Sequence, residues 1–140
     1  MEPTGGISLG AVGMALHHKL CHTLGGSFNL PHAETHTVVL PHATAYNAPA
    51  TPESMSRIAR ALGAASAATG IFDLAASLGA PTSLAAIGMK AGDLDTAADL
   101  AVQNPYYNPR PVTRDGIRAL LENAFEGRRP HAQASPAAVR

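Results

Sequence analysis

Tryptophan is absent, and the remaining aromatics amount to three Phe and three Tyr. A core built on a sheet of aromatic and β-branched residues is therefore poorly supplied, whereas abundant Ala, Gly and Leu suit closely approaching helices. The composition predicts an all-α fold. Neither sign of charge is in excess, with ten basic residues against ten acidic ones, and no basic face develops along the chain. Nucleic acid is not an expected partner. The single cysteine, Cys21, has no partner for an internal disulfide. No charged segment followed by an apolar one opens the chain, and no unbroken apolar run reaches the length of a membrane span. These absences point to a reducing, cytoplasmic setting without a membrane. The 140 residues, 46% of them hydrophobic, suffice for one domain with one core.

Histidine is what the sequence has in concentrated form. Six of its seven histidines fall within residues 17–42, HHKLCHTLGGSFNLPHAETHTVVLPH. Two His-x-x-x-His pairs, His18/His22 and His32/His36, stand on either side of Gly25-Gly26 and Pro31. Residues four apart on a helix project from one face, so each pair is able to aim two imidazoles at one centre, which is metal-ligand spacing. The plainer reading is that several of these rings only hydrogen-bond carbonyls inside a helical core. Cys21 reads as a small apolar filler rather than a nucleophile. Glu34, between His32 and His36, is not in the order of a zinc-protease helix.

Taken in order, residues 1–7 read as a lead-in, 8–127 as a helical domain and 128–140 as a disordered tail. Leu9, Val12, Leu16 and Leu20 mark one stripe of a first helix running from Ser8 to about Thr23 and ended by Gly25-Gly26. His18 lies about 200° around the axis from Leu16, which places His18 and His22 opposite the leucines. Gly10 and Met14 share that second face, so the helix is expected to be buried on both sides. Pro31 starts a second helix reaching about Tyr46 and kinked at Pro41. The run Thr35 to Leu40 is β-branched enough to compete as a strand, but nothing else in the chain offers to pair with it. Thr51-Pro52-Glu53 starts a third helix that ends before Gly63. A fourth spans 66–78 with Ile71, Leu74 and Leu78 on one face. A short turn at 82–88, a helix from Asp93 to about Gln103, a proline-rich loop at 104–112 and a last helix from Thr113 to Gly127 complete the set. Six or seven helices are expected.

The strings GMALHHKLCHTLGG at 13–26, NLPHAETH at 29–36, LPH at 40–42 with Tyr46-Asn47, and the run at 104–112 resemble the histidine signature of the iron-containing alcohol dehydrogenase family, specifically its maleylacetate reductase branch. The resemblance covers residues 5–127. It implies the C-terminal helical-bundle domain of that fold, which is dehydroquinate synthase-like. It further implies that His18 and His32 are metal ligands, to iron or zinc, and that His22 is an active-site residue beside the nicotinamide of NAD(P)H. Ala33, where the wider family has Gly, follows the maleylacetate reductase branch, whose dependence on metal is looser.

The implied activity is NAD(P)H-dependent reduction of maleylacetate to 3-oxoadipate in the breakdown of aromatic compounds. The family's nucleotide-binding domain, with its glycine-rich loop, and two further metal ligands, an Asp and a His, have no counterpart in this sequence. The expected partners are the small-molecule substrate, a separate chain carrying the N-terminal domain, and a second copy in a homodimer. Alone, the chain is expected to be an inactive fragment. The alternative is a small helical metal-binding or interaction module in which His18, His22, His32 and His36 close one site within this chain. Tyr46, Tyr106, Tyr107 and Asn108 are candidates for lining a carboxylate pocket, and His36 and His42 for supporting roles.

Overall fold

A computed structural model describes residues 4–103 and 112–130, with side chains described from Leu16 onward. Among these residues there are six α-helices and no strand. In chain order the helices are α1 (Thr4–Phe28), α2 (His32–Asn47), α3 (Pro52–Leu62), α4 (Ala67–Ser77), α5 (Leu94–Ala101) and α6 (Arg114–Glu126). Short 3-10 turns occupy Ala48–Ala50, Ala85–Ile87 and Ala91–Asp93. The all-α expectation holds, and the β-branched run at 35–40 lies inside α2.

The stripe on α1 decides the arrangement. Leu16, Leu20 and Leu24, four residues apart, are fully buried, as one face of a 3.6-residue period requires. They join Val38, Val39 and Ala43 of α2, Ala97, Ala98 and Ala101 of α5, and Ile117, Leu121 and Ala124 of α6 in one core. Helix α2 is central and packs against α1, α4 and α6, while α5 lies on α6. Alanines on the inner face of α5 permit that close approach. Tyr46 at the end of α2 is buried, and its hydroxyl accepts a hydrogen bond from the Thr113 amide at 3.4 Å. Gly116 makes this fit available: a Cβ there would stand 3.0 Å from Tyr46 Cε1 and 2.9 Å from Thr113 Oγ1.

Several helix ends follow local chemistry. Ser66 and Thr113 cap α4 and α6 by accepting from the amides of Thr69 and Gly116. Gly63 and Gly127 take the left-handed conformation after α3 and α6. Other ends differ from expectation. Helix α1 already begins at Thr4, within the stretch read as a lead-in, and it continues through Gly25 and Gly26 to Phe28. The left-handed residue is Asn29, with φ of 57°. Asn tolerates that conformation, and burial of Leu24 offsets the low helix propensity of the two glycines. Helix α2 passes through the buried Pro41 without interruption, although proline removes one hydrogen bond of the ladder. Helix α5 stops at Ala101, short of Gln103.

On α4 the buried residues are Ala67, Ala68, Thr69 and Gly70, whereas Leu74 and Leu78 are 49% and 76% exposed. Of the face formed by Ile71, Leu74 and Leu78, Ile71 is half-buried and the two leucines are open to solvent. The stretch Pro52–Ser77 is long and apolar enough to count as a membrane-span candidate by composition. It is instead two eleven-residue helices broken at Gly63, each about 16 Å long against the roughly 30 Å of a bilayer core. Residues 128–130, assigned to the tail, are anchored: Arg129 forks onto the Asp73 carboxylate at 2.7 and 2.9 Å, and Pro130 is buried. The loop read at 104–112 falls outside the described residues up to 111, as does the tail from 131.

Truncating the stripe tests the packing account. Leu20→Ala is expected to cost about 2–5 kcal/mol of unfolding free energy, measured by urea denaturation at constant m-value.

Candidate functional site

Residues 29–31 turn the chain so that the first two turns of α2 lie beside the middle of α1. Asn29 is left-handed, Leu30 is buried in the core and Pro31 is extended at the N-cap of α2. The ring of His17 then meets His36, with centroids 4.9 Å apart edge to face and His17 Nε2 3.2 Å from the His36 carbonyl oxygen. His36 is the hub of the group. Its ring lies 4.3 Å from that of His32 and 6.5 Å from that of His18.

The helix period sorts these side chains by depth. His17 and Cys21 flank the leucine stripe and are buried; His18 and His22, on the opposite face, are exposed. That exposure replaces the expectation that α1 is buried on both sides, at least over its described side chains. His32, the first residue of α2, is exposed, and His36 is half-buried. The structure therefore brings both His18 and His32 near His36. His22 stands one turn beyond His18, and among the described residues no ring contact ties it to the other three. His42 is elsewhere, buried against the edge of Phe72 at 6.4 Å. Tyr46 is committed to the α2–α6 contact, while Tyr106, Tyr107 and Asn108 lie outside the described residues.

Electrostatics favour neutral rings in the inner part of the group. Burial lowers the pKa of His17, against a smaller raising effect of its bond to the His36 carbonyl, and the neighbouring histidines lower it further. Partial desolvation and then the proximity of His32 and His18 lower that of His36. Imidazoles held neutral keep a lone pair for a cation. Burial also pushes the Cys21 thiol up to about 12, so as it stands it is a thiol and no nucleophile. Its Sγ lies 3.5 Å from His17 Nε2. The pair His17/Cys21 has the same four-residue spacing as His18/His22, displaced by one position. That His-x-x-x-Cys spacing is the signal for it in the sequence.

Among the described residues there is no strand leading into a glycine-rich loop and helix, so no dinucleotide phosphate cradle is present there. The Fe-containing alcohol dehydrogenase family, C-terminal, has a profile that matches residues 2–125. Maleylacetate reductase of Burkholderia cepacia is 64% identical over 125 residues, 89% of this chain and 36% of that protein. Maleylacetate reductase 1 of Rhodococcus opacus is 58% identical over 89% of this chain and 35% of its own length. The crystal structure of maleylacetate reductase from Agrobacterium tumefaciens superposes with a TM-score of 0.81 at 58% identity, covering 84% of this chain and 33% of that one. The chain thus spans about a third of the length of the curated relatives it matches.

The buried His42 generates a pH dependence. Burial lowers its pKa from 6.5 to about 4, and its Nε2 has no hydrogen-bond partner. Between those values the unfolded chain binds a proton that the folded chain does not, so stability is full above pH 6.5 and falls as pH drops toward 4. The loss attributable to this ring is expected to be about 3 kcal/mol. Urea titrations from pH 7 to pH 4 should show it, and His42→Leu should flatten the slope.

Proposed function

This chain belongs to the iron-containing alcohol dehydrogenase family, and from that premise we propose that it forms the C-terminal helical part of a maleylacetate reductase. The reaction is NAD(P)H-dependent reduction of the carbon–carbon double bond of maleylacetate to 3-oxoadipate, in the degradation of aromatic compounds. One observation carries the reading at the level of residues: His18 and His32, on neighbouring helices, are both exposed, with ring centroids 6.5 and 4.3 Å from that of His36.

Two imidazoles on neighbouring helices suit divalent iron or zinc, so His18 and His32 are the residues that would hold such an ion. Two ligands do not complete a coordination shell, and the remainder is assigned to an N-terminal domain supplied by another segment or chain. When bound, the ion supplies Lewis-acid polarisation of a substrate oxygen. His22 holds a proton at its exposed imidazole, one turn from His18, and delivers it to the carbon next to the one that receives hydride. NAD(P)H is assigned to the N-terminal domain.

The purified chain is expected not to oxidise NADH in the presence of maleylacetate, followed by NADH absorbance. Adding the N-terminal domain of a relative such as the Burkholderia cepacia enzyme is expected to establish turnover. His22→Ala should then lower the rate by about 10²-fold or more. Steady oxidation by the chain alone would overturn its role as an incomplete part of the enzyme. A reconstituted rate indifferent to His18→Ala, His22→Ala and His32→Ala would overturn the site.

A further inference from the structure

Beneath the exposed histidines lies a second set of donors that the reductase reading does not use. One nitrogen each from His17 and His36 and the sulfur of Cys21 all lie within 4.8 Å of one another. Two of the three side chains are buried and the third half-buried. We propose that His17, Cys21 and His36 form a binding site for a thiophilic divalent cation of the zinc class, distinct from the pair His18/His32.

The support is geometric. At Zn–N of about 2.0–2.1 Å and Zn–S of about 2.3 Å, nitrogen and sulfur ligands at the tetrahedral angle are about 3.5 Å apart. The His17 Nε2 to Cys21 Sγ distance is 3.5 Å, so one edge of the tetrahedron is already at its final length. His17 and Cys21 are four apart on a rigid helix whose neighbouring leucines are locked in the core, which holds that edge in place. The edges to His36 are no longer than 4.8 Å, and a half-buried ring has the freedom to rotate inward to close them. Its open side also admits the ion and a water as fourth ligand.

The hydrogen-bonding state of His17 shows which tautomer a cation would select. His17 is 4% exposed, and its Nδ1 has no hydrogen-bond partner. Neither neutral tautomer satisfies the ring. With the proton on Nε2, the bond to the His36 carbonyl forms but the Nδ1 lone pair is buried bare. With the proton on Nδ1, that N–H is buried bare and the Nε2 lone pair faces a carbonyl oxygen. A cation at Nε2 engages the lone pair of the second tautomer beside the Cys21 sulfur and removes its repulsion with the carbonyl oxygen, while the Nδ1 N–H is unchanged. Two imidazoles with a thiolate are a donor set that selects zinc-like ions over hard ones such as magnesium. The proton leaving the Cys21 thiol passes to solvent as the metal–sulfur bond forms.

The inference stands apart from the reductase reading, because none of its ligands is His18, His22 or His32. Cobalt(II), a spectroscopically visible substitute for zinc, provides the test on the full 140-residue chain. Titration is expected to produce a thiolate-to-cobalt charge-transfer band in the near ultraviolet that zinc abolishes by displacement. Cys21→Ala should remove the band, with retained helical circular dichroism showing that the fold is intact. His36→Ala, at a half-buried position, should weaken cobalt binding by about tenfold or more, while the double variant His18→Ala/His32→Ala should leave the band in place. Absence of the band in the parent chain, its indifference to His36→Ala, or its loss in the double variant would each overturn the assignment.

Discussion

The packing of Leu16, Leu20 and Leu24 against α2 is the constraint from which the rest follows. Once that face of α1 is committed to the core, every other side chain on the helix has its direction set by the 100° step between residues. One step from the stripe, His17 and Cys21 fall on a buried flank that meets α2; two steps away, His18 and His22 fall in the open. The turn through Asn29, Leu30 and Pro31 then sets the register of α2, so that His36 faces His17 and His32 lies just above it.

The outcome is a graded group of imidazoles. At the surface His18, His22 and His32 are accessible to a ligand arriving from outside the chain. Below them His17 and His36 are desolvated and mutually repulsive as cations, which favours neutral rings. Deeper and further along α2, His42 is enclosed among apolar groups and has no part in the group. One residue type thus serves three physical environments within a single pair of helices, and depth rather than identity separates the roles.

Much of the fold was legible because its signals are local. Thr51-Pro52-Glu53 before a helix and Gly63 after it, or Thr113 and Gly127 around α6, act through neighbouring backbone groups and need no tertiary information. The failures share the opposite character. Gly25-Gly26 has the local chemistry of a helix end, yet burial of Leu24 carries α1 through it to Phe28. Leu74 and Leu78 have the periodicity of an inner face, yet the small residues 67–70 are what α2 and α3 accept, because only they permit the close approach. Periodicity reveals that a face exists and is silent on what covers it.

The order of residues alone determined the all-helical class, the family and the opposition of His18 and His22 to the leucine stripe, since each depends on local spacing or on a long ordered string. Tertiary structure decided that His18 and His32 both come near His36, that Cys21 approaches His17 and His36, and that His42 is sealed away from them all. Those outcomes depend on the register between α1 and α2. Register is a property of two surfaces meeting between residues nineteen positions apart, His17 and His36, and no spacing within either helix encodes it.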